Sequence, residues 1–160
     1  MPTKSRGRSQ GKDAIAVLKE DHQKMRGLLS QLEETTERGA GKREALLGRI
    51  EQELKIHSQI EEEIFYPAFR EAARKQDDKK LYYEAVEEHH VVDLVLPEIK
   101  GTEPGSDEFG AKAKVLKDLV EHHAEEEESE MFPRARKILD REELLRLGDE
   151  LTQAKASLAG

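Results

Sequence analysis

At 160 residues the chain is sized for one domain, and 27 lysines and arginines against 35 aspartates and glutamates leave a net charge of −8. That balance argues against a dedicated nucleic-acid binder, which presents a basic excess. The absence of cysteine excludes disulfides, thiolate zinc sites, iron–sulfur clusters and cysteine nucleophiles. No apolar run approaches the ~20 residues that span a bilayer, and the opening MPTKSRGRSQGK lacks the apolar core of a secretory signal. A cytoplasmic protein with no membrane partner is expected.

Residues 1–12, with Lys4, Arg6, Arg8 and Lys12, read as a disordered basic tail. A helical pattern runs from about Asp13 to Glu37 and stops at the turn signal Arg38-Gly39-Ala40-Gly41. A second runs from about Lys42 to Lys75, with Pro67 inside it as an expected kink. Asp77-Asp78 opens a third, which ends between Pro97 and Gly101. After the loop Gly101 to Ser106 a fourth runs from about Asp107 to Leu139, with Pro133 inside it. Asp140 with Glu143 three residues on is a capping box for a short C-terminal fifth helix over residues 140–160. No strand-like alternation occurs. The fold class is therefore all-α, an antiparallel up-down four-helix bundle over residues 13–139.

The helix faces repeat. Ile15, Leu18, His22, Met25, Leu29 and Leu32 in the first helix step 3, 4, 3, 4, 3, and so do Tyr82, Ala85, His89, Val92, Leu96 and Ile99, at an offset of 67 residues. Leu47, Ile50, Leu54, His57, Glu61 and Ile64 in the second helix map at an offset of 66 onto Ala113, Leu116, Val120, His123, Glu127 and Glu130. Pro67 falls on Pro133 in the same register. The chain reads as two duplicated helical hairpins, with a histidine on every seam and a glutamate one turn later on two of them.

A carboxylate in a bundle core costs several kcal/mol unless something compensates it. A metal ion compensates two glutamates and four imidazoles together, because both groups ligate iron, manganese and zinc. The i, i+4 spacing puts His57 with Glu61, and His123 with Glu127, on one helix face each. His22 and His89 then add one imidazole per metal. The seam places His89, rather than His90, inward. At the fourth helix His122 also has apolar residues behind it, Val115 and Leu119, so periodicity leaves both histidines open; the duplication and the proline register favour His123. Of Glu125 to Glu128 only Glu127 is assigned to the core, the others to a solvated acidic face. Tyr66 and Tyr82 are candidates for a place near the metal layer, with aromatic core packing the preferred role for both, and ligation by a further residue such as Tyr82 or Asp93 is left open.

The segments Glu20-Asp21-His22, His57 to Pro67, Glu88-His89 and His123 to Pro133 resemble the hemerythrin-like, or HHE cation-binding, family, over roughly Asp13 to Leu139. The resemblance implies an oxo- or hydroxo-bridged di-iron centre, two iron ions held by His22, His57, Glu61, His89, His123 and Glu127. Members bind oxygen, sense oxygen or iron, or act on peroxide and nitric oxide. The oxygen carriers of the family have a fifth histidine where this chain has Ala85, and an aspartate as the bridging acid where it has Glu127. The expected function is thus a di-iron protein that binds and reacts with O2, H2O2 or NO, with catalase-like consumption of peroxide and a place in oxidative stress. Its expected partners are the small ligand and an electron donor, not nucleic acid. The alternative is an oxygen-, iron- or redox-sensing module without turnover.

Overall fold

The computed structural model describes residues 11–160, and every regular element among them is helical. Helix α1 spans Ala14–Glu33. It starts at Asp13, whose carboxylate accepts the Ala16 N–H at 2.8 Å, so one of the free donors of the first turn is satisfied. A 3-10 turn, Glu37–Gly39, leads into α2, Ala40–Ile60. One π-helical turn, Glu61–Phe65, passes the chain to α3, Tyr66–Ala72. Helix α4 spans Gln76–Lys100 and α5 spans Asp107–Glu126, capped by Ser106. A second π turn, Glu127–Met131, precedes α6, Phe132–Ile138. Helix α7, Arg141–Ala159, is 19 residues long and begins at Asp140, which accepts the Glu143 N–H at 2.8 Å. No helix among the described residues is long and apolar enough to cross a membrane. Of the basic tail, residues 1–10 lie outside the described residues, while Lys12 pairs with Glu20.

A π turn precedes Pro67, where a kink is expected, and a second precedes Pro133. A proline has no N–H to give, and its ring collides with the carbonyl four residues back. Widening the preceding turn avoids the collision: Tyr66 N–H donates to Glu61 O and Phe132 N–H to Glu127 O, both five residues back. The wide turn also shifts the register. Phe65 and Met131 are buried where the extrapolated seam would bury Ile64 and Glu130, and Glu130 is exposed. That corrects the last position of each of those two seams.

Helices α1, α2, α4 and α5 form the bundle, with α1 beside both α2 and α5. Its apolar core is in two blocks. One, at the end carrying α3, α6 and α7, holds Leu18, Ile60, Tyr66, Ala85 and Phe132. The other holds Met25, Leu54, Val92, Leu116 and Val120 and continues to Phe109. The seam histidines lie between the two. At the far end Arg43 is buried: its guanidinium donates to Thr35 Oγ1 at 3.0 Å, Pro104 O at 2.7 Å and Ser106 O at 3.1 Å, which ties two loops together.

Helix α7 lays Leu144, Leu147 and Leu151 against α1, α2 and the first π turn. A Cβ at Gly148 would stand 2.0 Å from the Lys12 carbonyl oxygen, so only glycine permits this approach.

Candidate metal centre

The sequence-derived histidines and glutamates converge. His22 comes from α1, His57 from α2, His89 from α4 and His123 from α5, while Glu61 and Glu127 each open a π turn. None of the six is more than 7% exposed. They make two groups that share both glutamates: His22 and His57 with Glu61 and Glu127, and His89 and His123 with the same pair. Within each group the ligand-capable atoms lie within 4.8 Å of one another. His90 and His122 are exposed, and of the two neighbouring histidines on the fourth bundle helix it is His123 that is buried with the others.

All four histidines are oriented in the same way, by residues that seam periodicity did not single out. His57 Nδ1 meets Asp21 at 2.8 Å, His123 Nδ1 meets Glu88, His89 Nδ1 meets Glu62 at 2.7 Å and His22 Nδ1 meets Glu128 at 2.7 Å. A carboxylate only accepts, so Nδ1 carries the hydrogen and each Nε2 lone pair is turned into the centre. Glu128 is therefore not part of a merely solvated face; Arg26 holds its outer side at 3.2 and 3.3 Å. Lys155 of α7 likewise caps the outer oxygen of Asp21. The signal was present in the sequence, because Asp21 and Glu88 keep the 67-residue offset, and Glu62 and Glu128 the 66-residue one.

Tyr66 also reaches the centre, so of its two candidate places the structure gives it the one beside the polar layer rather than aromatic packing alone. Its hydroxyl donates to Glu127 and lies 3.0 Å from Glu61 Oε1, 3.2 Å from His89 Nε2 and 3.3 Å from His123 Nε2. The π turn brings a residue five positions after Glu61 onto its face, something an α-helical projection would not do. Tyr82 stands edge-on to the Tyr66 ring, 6.2 Å between centroids, and Asp93 is exposed.

The residues fit a bound cation. His57 Nε2 and Glu61 Oε2 are buried with no hydrogen-bond partner among the described residues, where buried polar groups are otherwise nearly always paired. His89 Nε2 and His123 Nε2 face each other at 3.1 Å with their Nδ1 hydrogens directed elsewhere. Two lone pairs in that position repel unless a positive charge lies between them. Without a metal, protons fill the role. Burial alone would strip His57, yet the Glu61 charge and the Asp21 hydrogen bond outweigh it and raise its pKa to about 10. Burial opposes the same change at His123, where the Glu127 charge prevails and lifts it well above the usual range. Burial pushes Glu61 up, but the His57 charge and hydrogen bonds from its histidine neighbours hold it well below the usual carboxylate value. Burial and the two carboxylates keep the Tyr66 proton in place.

Residues 13–135 match the hemerythrin HHE cation binding domain. The chain belongs to that family. Helix α7 lies beyond the matched segment. The HHE fold is seen again in the crystal structure of a hemerythrin HHE cation binding domain-containing protein, the Rv2633c homologue from Mycobacterium kansasii. The TM-score is 0.80 at 29% identity, covering 92% of this chain and 87% of that one. A protein of Nostoc sp. (strain PCC 7120) named DNA nickase is 30% identical over 142 residues, which is 89% of this chain. The chain spans only 39% of that relative's length. This HHE protein is thus a helical, metal-binding bundle whose buried histidines and glutamates form two metal-capable groups.

Proposed function

We propose that the protein holds two iron ions, one in each histidine pair, bridged by Glu61 and Glu127, and that it binds and reacts with O2, H2O2 or NO, consuming peroxide. The observation that carries this reading is the sharing of two buried carboxylates between two histidine pairs. A pair of irons, when bound, supplies two electrons by moving between ferrous and ferric states. The protein's own residues supply the rest. Asp21, Glu62, Glu88 and Glu128 fix the imidazole tautomers. Tyr66 holds an exchangeable proton inside the polar layer, where a reduced oxygen species needs one.

A cavity of about 20 Å³ adjoins the four histidines, closed on its other side by Met25, Leu54, Val92 and Val120. That is room for one water-sized molecule, and the apolar wall suits a diatomic gas or peroxide better than a larger polar substrate. Ala85, where the oxygen carriers have a histidine, supports reaction over simple carriage. The net charge of −8 supports a reading without nucleic acid, and the relative named DNA nickase is more than twice as long as this chain.

The chain of contacts from Lys155 through Asp21 to His57 favours a second reading, sensing, because it joins α7 to the centre. Turnover separates the two. Metal content and the near-ultraviolet spectrum of aerobically purified protein, with His57→Ala and Glu127→Ala beside it, test the site. Two irons per chain, a complement reduced in the variants, together with catalytic oxygen release from peroxide, is the expected result. Stoichiometric oxidation with altered protease resistance of α7 would favour sensing. A folded protein indifferent to added iron would overturn both.

A further inference from the structure

The two halves of the bundle differ in what lies outside the carboxylates that orient His57 and His123. Asp21 accepts from His57 through one oxygen and from the Lys155 ammonium through the other. Its counterpart Glu88 accepts from His123 through Oε1, but no lysine or arginine among the described residues pairs with its outer oxygen. What faces Oε2 is the His122 imidazole, with Nε2 at 3.5 Å, and the same nitrogen stands 3.4 Å from Glu126 Oε2. The ligand-capable atoms of Glu88, His122 and Glu126 lie within 4.8 Å of one another, at a surface where His122 is 63% exposed. Nothing equivalent exists in the other half, because the positions corresponding to His122 and Glu126 are Ile56 and Ile60.

We propose that Glu88, His122 and Glu126 form an outer site for a divalent transition-metal ion, distinct from the buried centre and joined to it through Glu88. Two carboxylates from neighbouring helices converge there on one imidazole, with no lysine or arginine among the described residues between them, at the place where the other half of the bundle supplies an ammonium. An imidazole nitrogen beside two carboxylate oxygens selects zinc, manganese or ferrous iron over magnesium and calcium, which take oxygen alone. His122 and Glu126 are one turn apart on α5, so both reach one ion without a change of backbone. The remaining coordination positions face water. An ion here draws on the Glu88 carboxylate that orients His123, which gives the buried centre a contact with the metal content of the medium.

The test uses Zn²⁺ as the probe on the full chain, whose interior metal is first counted by elemental analysis. Calorimetric titration of the wild type is expected to show one further Zn²⁺ beyond the interior complement. His122→Ala, a change at an exposed position, should weaken that equivalent at least tenfold and leave the interior count unchanged, and Glu126→Gln should act in the same direction. His57→Ala, which impairs the buried centre, should retain the outer equivalent. Absence of a further Zn²⁺ on the wild type, or binding by His122→Ala as tight as wild type, overturns the proposal. An outer equivalent that survives while the interior takes up no metal would uphold this site and sink the di-iron reading; the reverse result would do the opposite.

Discussion

Tyr66 and Phe132 occupy equivalent positions in the two hairpins, 66 residues apart, yet only Tyr66 carries an oxygen into the polar layer. Phe132 instead stacks on the His22 ring, 5.8 Å between centroids with the planes 11° apart. The duplicated centre is thereby made unequal: the His89/His123 half has a hydroxyl beside it and the His22/His57 half an apolar ring. Tyr66→Phe should keep the fold and the metal count. It takes a donor from the buried Glu127, so the metal-free protein should lose about 1–3 kcal/mol in denaturant unfolding. Peroxide consumption should fall about tenfold or more, since the proton source in the layer is gone. Unchanged turnover would confine Tyr66 to packing and hydrogen bonding.

Asp21→Asn removes the charge that orients His57 and anchors Lys155 while keeping the shape of the side chain. Changes to such supporting groups weaken metal binding by about 10–100-fold. The loss should fall on one of two stepwise affinities in chelator competition, the one that His57→Ala also abolishes. The His89/His123 half keeps Glu62 and Glu88, so its affinity should fall less than that of the His57 half, by what passes through the shared Glu61 and Glu127. Equal weakening of both steps would mean that the carboxylate acts on the bundle as a whole.

The bundle, its seams and the six inward histidines and glutamates follow from a 3.5-residue apolar period and a duplication, both properties of the chain that need no tertiary information. His122 and His123 show where periodicity stops: either has apolar residues behind it, and it was the match to His57 that separated them. Periodicity does not decide between packing and the polar layer for Tyr66, because its direction depends on a π turn, which arises from a proline ring meeting a carbonyl rather than from any hydrophobic pattern. The four supporting carboxylates looked like part of a glutamate-rich surface in a chain with 35 acidic residues. Only their offsets marked them. Arg43 gives no signal, since three of its four acceptors are main-chain carbonyls of loops, and two of those, Pro104 and Ser106, lie far off in sequence.

Gly148→Ala tests whether α7 is part of the folded unit. Alanine favours a helix over glycine by about 1 kcal/mol, so propensity alone predicts a gain. The added methyl would meet Lys12 O at 2.0 Å and Asp13 C at 2.8 Å, backbone atoms at the start of α1 that cannot rotate away. Overpacking of this kind costs about 1–3 kcal/mol and should win. A lower midpoint of thermal unfolding is expected, with faster proteolysis in α7. A rise in the midpoint would mean that α7 is only loosely held.

Metal uptake should depend steeply on pH, because the ion replaces protons. His57 ordinarily titrates near 6.5 and in the metal-free fold near 10. The folded chain holds that proton more tightly than the unfolded one, so the stability it contributes is complete below about 6.5 and fades as pH rises through about 10. Glu61 and Glu127 are shifted down from 4.5 and act oppositely: their contribution is present above about 4.5 and is lost as pH falls through their lowered values. An entering ion must displace the His57 proton anywhere below about 10, so apparent affinity should rise about tenfold per pH unit for each proton released. Chelator competition from pH 6 to 9 (about three such units), with proton release measured in weakly buffered solution, checks this. Affinity that is flat over that range, with no protons released, would mean that these imidazoles are not the ligands.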